Sequence, residues 1–538
     1  MKAGISVHAL KDDAQWAAFV SSLNGVPNLL LQNLADRLRA AGAISALWEG
    51  AYIDRDFSAA YSAFYSTLFR PYRKFCSRVH FFASDVAPIL ALANVSEVVA
   101  GIEAVAKTYL GDIVLRPLAH APVSSAHLAA VALAGDPVQE VSVRSVFKIH
   151  LLGVELKVDA MPLTQQDTRT GACAQATMWM AGRHFHNRHS APWFSMPDIT
   201  EIALNPTDSG ITRSLPAGSE YLTQDNMVRA LRAMGRHPVM YAPDEIVAGA
   251  LVWQNVRPKD IVARYVDSGI PVLLGVQSAG TAIGHGLVAV GSERDAAKDL
   301  STIAAGSTTA EFLTHFLVND DQRGAYNRLP ISATQKTGND PFCLETDIKF
   351  ILVPLPEKVF MTGETAELIA KDMMGQVAAS RQVLADQALG AGSGWDVEPG
   401  TYAAVAAGTL VTRTYLTFGW KYKARTLRNG VSEHLKKELL MTQLPRYVWV
   451  TEFSQPTEAS DVDTCKRLVR GHVVVDATGS RFWDSTLIID APGLSVLWHF
   501  DPVTPSSPPS LIVNADMVST PYWPKIRGDL EYASCKVT

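Results

Sequence analysis

Apolar and polar positions along this chain follow two periods. Residues 12–48 place apolar side chains every third or fourth position, interrupted at Gly25-Val26-Pro27, which predicts amphipathic helix broken by a turn. A second helical pattern covers residues 56–75 and is dense in aromatics: Phe57, Tyr61, Phe64, Tyr65, Phe69 and Tyr72. Their spacing gathers one apolar face, expected to pack in a core rather than to hold a ligand. Residues 112–118 read as a strand stopped by Pro117. Between residues 141 and 161 the pattern is strand-like, at 141–143, 146–152 and 154–158. A helix is predicted after Cys173, with Gly182 its one breaker, and another over residues 222–235, where Gly235 is the stop signal. The stretch between them, 192–216, is loop-rich. Short apolar runs at 271–276, 286–290, 316–320 and 349–355 predict strands, with a polar insertion at 292–309. Residues 363–389 form a long alanine-rich helical pattern, and the tract 390–394 has the composition of a flexible linker. Further strands are expected at 447–453, 472–477 and 485–489, with a Ser/Pro-rich loop at 506–510. No internal repeat is present.

A chain of 538 residues exceeds what one hydrophobic core supports, and about two to four domains are expected. The pattern suggests an N-terminal accessory α/β region at 1–140, a central domain at 141–356, a helical connector at 357–390 and a C-terminal α/β domain at 391–538. The net charge of -5 and the absence of a basic run argue against a nucleic-acid partner. The five cysteines, at 76, 173, 343, 465 and 535, show no zinc-knuckle spacing and no disulfide framework, so a reducing compartment is favoured. The first 23 residues mix charges into their apolar positions, and no run approaches the roughly 20 apolar residues of a bilayer span. A cytoplasmic protein without membrane, metal or cofactor is the expectation.

One stretch carries chemistry. Gln165-Gln166-Asp167-Thr168-Arg169-Thr170-Gly171-Ala172-Cys173 is a polar loop that ends on a cysteine and opens a helix. A thiol attacks a carbonyl as thiolate, and free cysteine, with a pKa of about 8.5, is mostly protonated at neutral pH. A helix N-terminus stabilises the anion, and a neighbouring imidazolium both stabilises it and later protonates the leaving group. His285, in Gly284-His285-Gly286, stands at the mouth of a strand and is the candidate base. An acid or amide must then orient the imidazole. Asn319-Asp320-Asp321 ends the next strand; Asp320 is favoured, Asp321 second and Asn319 third. A glutamine amide and the cysteine's own N–H would hold the oxyanion, with Gln166 preferred and Gln165 the alternative.

The order Gln, Cys-helix, strand-Gly-His-strand, strand-Asp resembles the papain-like cysteine peptidases. It is most similar to the bacterial branch of leader peptidases that cut after double glycine. The resemblance covers roughly residues 150–356. It implies an α+β papain-like core in which Cys173 is nucleophile, His285 base, Asp320 orienter and Gln166 oxyanion donor. The activity it implies is hydrolysis of a peptide or isopeptide bond in a protein or peptide substrate. A glutamine deamidase, transglutaminase or amidase uses the same parts, and an inert papain-like scaffold keeps the fold alone. Three positions depart from the family's pattern: Ala174 stands where it has glycine, its glutamine register falls on Asp167, and the segment between His285 and Asp320 is longer.

Other clusters read as structural. Arg183-His184-Phe185-His186-Asn187-Arg188-His189 invites a zinc reading, but its imidazoles diverge on a helix, and a solvated helix end is expected. Cys76 and His80 are expected to pack rather than to react. Trp420, Trp449, Trp483 and Trp498 are expected to be core anchors.

Overall fold

The alternation in residues 145–160 folds into a hairpin of strands Ser145–Leu151 and Val154–Ala160. Its two-residue turn, Leu152-Gly153, has positive φ at both positions, the geometry that matches the twist of antiparallel strands. Alternate side chains Ile149, Leu151, Val154, Leu156 and Val158 are buried together with Leu47, Phe82 and Tyr109. The protein is α+β, its paired strands antiparallel. The computed structural model describes residues 4–130, 138–167, 172–204, 222–247, 250–254, 256–278, 284–295, 297–391, 399–427, 433–461, 467–479, 485–498, 509–513 and 523–524. Most of the tract 390–394, much of the loop-rich 192–216 stretch, most of the 506–510 loop, Trp483, Cys465 and Cys535 lie outside the described residues.

The chain forms two compact units. The first comprises residues 1–253, 271–292 and 315–355, the second residues 254–270, 293–314 and 356–538. This differs from the four-part division read from the sequence, for two reasons. Residues 1–140 do not stand apart from the central region: Ala126 pairs with Leu163, and the Tyr65 hydroxyl donates to Asp167 at 2.7 Å. The helix Gly363–Leu389 is not a free connector, since Ala366, Ala370, Met373, Met374 and Val377 are buried along one face. Its Glu367 accepts from Thr414 of the strand Val411–Phe418, inside the second unit.

In the first unit, five strands run in the order Ile5–Ala9, Ser45–Tyr52, Cys76–Phe82, Tyr109–Leu115, Val123–Leu128. The 12–48 pattern resolves into helices Asp13–Leu23 and Leu29–Ala40, each with an Asp12 or Asn28 cap, and its end belongs to a strand. The aromatic pattern 56–75 is helical only over Arg55–Ala63, followed by a short 3-10 turn. Phe57 and Tyr65 turn into a buried cluster with Cys76 and Val114, as a core face should, whereas Phe69 is fully exposed. Tyr65 is drawn from the helical register by its buried bond to Asp167. His80 is held by Glu49 at 2.9 Å and by Tyr109 at 3.1 Å, and Cys76 is buried, so neither is free for chemistry.

The second sheet of the first unit has the strand order Gly324–Pro330, Leu313–Asp320, His285–Arg294, Val272–Val276, Ile348–Pro356, Arg236–Tyr241. The sequence missed its first and last members. The second unit holds a six-stranded sheet built on Val411–Phe418, Tyr447–Ser454 and Gly471–Asp476. Trp449 is buried there and donates to the Met361 carbonyl at 2.9 Å, while Trp420 is exposed rather than an anchor. Among the described residues, no helix is long and apolar enough to cross a membrane.

Candidate active site

Cys173 is the first residue of the helix Cys173–His189. Residues Gln175 to Phe185 of that helix are all buried, so it is enclosed on every side and its start is rigidly placed. The expectation of a solvated helix end at 183–189 therefore fails for its first half. Arg183 and His184 are buried, Arg183 being paired with Asp56 and stacked on Trp179 and Trp193. Ala172 occupies the cap position, where it brings no side-chain acceptor to the first-turn amides. A helix start of this kind favours negative charge beside it.

His285 opens its strand and faces the same cavity as Cys173. Two glycines make this approach possible. A Cβ on Gly286 would meet the Thr177 Oγ1 at 2.6 Å, and one on Gly275 would meet the Phe350 ring at 2.1 Å. Gly275 and Gly286 are cross-strand partners, so the sheet is thinned where the helix start docks. The Cys173 Sγ donates weakly to the Gly284 carbonyl oxygen at 4.0 Å, and thiol and His285 ring line the same cavity, close enough for the thiol to raise the ring's pKa.

The His285 Nε2 is 3.0 Å from Asp320 Oδ1 and 3.5 Å from Asp321 Oδ1. With Nε2 committed to Asp320, Nδ1 is the ring nitrogen left for the sulfur. Asp320 is itself fixed, since its Oδ1 also accepts from the Gln322 N–H at 2.8 Å across the turn to Gly324. Phe342 stacks on the imidazole at 5.9 Å with the rings 19° from parallel. Burial alone would lower the His285 pKa, but the hydrogen bond to Asp320, the neighbouring Cys173 thiol and the two carboxylates outweigh it and push it up to about 11. An imidazolium stands beside the thiol across the physiological range.

Asn319, the third-ranked orienter, is occupied elsewhere, donating to Pro162 and accepting from Tyr326. Asp321 is a different matter. Its side chain is 0% exposed and neither oxygen makes a hydrogen bond. Burial pushes its carboxyl up to about 7, the His285 charge opposing and the Asp320 charge adding to the rise. Because the folded-state value lies above the ordinary 3.8, the fold gains from the protonated form and loses stability as pH rises from about 4 to about 7. Asp321→Asn, which keeps the shape of the neutral acid, should therefore melt higher than the parent at pH 8, by about 1–3 kcal/mol, with no difference at pH 4. Calorimetry across that range checks it; a variant less stable at pH 8 would show that the ionised carboxylate is wanted there.

His285, Asp320 and Asp321 are also the one group of three such side chains, among the described residues, whose donor atoms lie within 4.8 Å of one another, close enough to surround a cation. An ion at Nε2 would cost the His285–Asp320 hydrogen bond. No known protein family matches the chain, and no curated protein does. The site is read from its own geometry.

The expected oxyanion donor is not where the sequence put it. Gln166 is half-buried and is not among the residues lining the cavity. Gln165 is used in structure: its Oε1 accepts from the Val123 N–H, its Nε2 donates to Asn28 at 3.4 Å, and its carbonyl takes a bond from Arg116. These ties fasten the segment before Cys173 to the N-terminal sheet. Residues 168–171, which complete the loop, lie outside the described residues. The amide side chains that do line the cavity are Gln224 and Gln277. Val276 pairs with His285, and continuing that register sets Gln277 opposite Gly284. Sequence reasoning missed Gln277, although a polar residue closing an apolar strand at the cavity mouth was its available signal.

Proposed function

We propose that this protein is a papain-like thiol hydrolase that cleaves a peptide or isopeptide bond of a protein partner through an acyl-enzyme on Cys173. The observation that carries the reading is the grouping itself: a thiol at a helix start, facing the same cavity as an imidazole whose Nε2 is held by a buried carboxylate at 3.0 Å. The Cys173 thiolate adds to the carbonyl carbon, and the carbonyl electron pair moves to oxygen. Collapse of that adduct breaks the C–N bond while imidazolium His285 gives its proton to the departing amine. Neutral His285 then takes a proton from water as its oxygen attacks the thioester, and the acid leaves with the thiol restored. Asp320 fixes the ring and favours its charged form. The Cys173 N–H supports the oxyanion, and Gln277 takes the second donor role that the resemblance gave to Gln166.

Selective alkylation tests the reading. Among the described cysteines, Cys76 and Cys343 are buried and Cys173 is not. Low-dose iodoacetamide at neutral pH followed by peptide mapping should place the label on Cys173. Cys173→Ala should lose both the label and at least about 10⁴-fold of the cleavage rate. The substrate's mass separates chain cleavage from conversion of glutamine to glutamate. Full activity in Cys173→Ala, with labelling elsewhere, overturns the proposal.

A further inference from the structure

The cavity beside Cys173 has a volume of about 370 Å³, within the range of sites that enclose part of a ligand. Its walls are apolar: Leu222, Met227, Leu274, Val276 and the Phe350 ring, which lies flat over Gly275. A substrate read only at two glycines would leave this apolar surface wet and unused. Among the described residues, the cavity lining contains no acidic residue. Besides His285, its one charged member among those residues is Lys349, half-buried, next to Phe350 in the strand Ile348–Pro356. Lys349 has no carboxylate partner among the described residues, whereas the neighbouring Asp347 already pairs with Lys336. An ammonium with no carboxylate partner among the described residues, at the edge of an apolar cavity, favours a ligand that brings a carboxylate together with an apolar side chain.

We infer that the substrate is a peptide segment with a bulky apolar side chain seated in this cavity beside the bond attacked by Cys173, and an acidic residue adjacent to it that meets Lys349. This deepens the hydrolase reading and rests on it for the cleavage, but the recognition can be measured without any cleavage.

Two measurements on the full chain separate the two ideas. In the first, fluorescent peptides bind to the Cys173→Ala protein, so turnover plays no part. A peptide carrying Leu or Met beside Asp or Glu should bind about tenfold more tightly than the same peptide with Lys in the acidic place. Lys349→Glu should reverse that ratio. The ratio is read within one variant, so a general loss of folded protein cancels. In the second, the unmodified chain digests a mixed peptide library, and the cleaved bonds should show the same apolar and acidic neighbours. If the acidic preference is present in binding but nothing is cleaved, the hydrolase reading fails and the assignment of the cavity stands. Should bonds be cleaved at glycine pairs, or should Lys349→Glu leave the acid-to-lysine ratio unchanged, the assignment is overturned while the hydrolase survives.

Discussion

Replacing His285 by alanine should lower kcat/KM on any cleaved peptide by about 10³- to 10⁴-fold or more, and adding Cys173→Ala to it should cost little further. The reason is that the two groups act as a unit. The imidazole supplies both the positive charge beside the sulfur and the proton for the departing amine, so neither residue retains much function alone. Additive losses in the double variant would mean that the two side chains work independently, against their shared place at the cavity. The pH dependence carries a second sign. Because Asp320 and its neighbours hold the ring's pKa up, at about 11, the acid form persists through neutral pH and well above it. Asp320→Ala removes the closest of these supports, so the acid form should be lost at a lower pH. The alkaline limb of kcat/KM should move toward neutrality, and the rate at pH 7 should fall by about 10²- to 10⁴-fold. Steady-state rates from pH 5 to pH 10 on both proteins measure this. An unmoved alkaline limb would show that Asp320 does not govern the ring.

Cys173, His285 and Asp320 were legible because each stands where one element ends and another begins, and such places have local signatures. Cys173 follows a polar loop and precedes helix formers, His285 lies between two glycines at the start of an apolar run, and Asp320 ends one. Their convergence needed only the strand pairings that the runs themselves imply. Gln166 is the glutamine nearest the family's register, which itself falls on Asp167, and nearness in sequence fails when the intervening chain is tied to another sheet through Gln165, Arg116 and Asn28. Lys349 and Phe350 were read only as a strand. Their place in the cavity depends on Gly275 lacking a side chain on the adjacent strand, a fact of pairing rather than of neighbourhood in sequence. The same limit explains the domain boundaries. Residues 363–389 look like a connector until the charges on that helix find partners about a hundred positions earlier in the chain.

Those partners give the largest expected effect on stability: Glu367→Ala should destabilise the second unit by about 3–5 kcal/mol. Arg264, on the helix Pro258–Asp267, is buried and gives its Nη2 to Glu367 at 2.8 Å and its Nη1 to Glu364 at 3.0 Å. Glu367 also accepts from Lys371, Thr412 and Thr414, so one carboxylate joins two helices and a strand. Space is tight around it. A Cβ on Gly363 would come within 2.3 Å of the Arg264 Cδ and 3.1 Å of Trp449. Burial would raise the Glu367 pKa, but the charges of Arg264 and Lys371 outweigh it and hold the carboxyl down at about 2. A depressed folded value contributes stability above the ordinary 4.5, and that contribution is lost as pH falls toward 2. Removing the carboxylate leaves buried Arg264 with Glu364 alone, and the cost is that of a buried charge short of its closest partner rather than the worth of a contact. Urea unfolding of Glu367→Ala at pH 7 should show the loss, and the gap to the parent should narrow as both are acidified. Replacing Arg264 and Glu367 together by leucine and methionine should restore most of the difference, because the two most buried charges are then both gone and the partners they leave, Glu364 and Lys371, reach solvent. If the double variant is as unstable as Glu367→Ala alone, the network is holding geometry through its threonine and lysine bonds, and the arginine is not the reason the single change is costly.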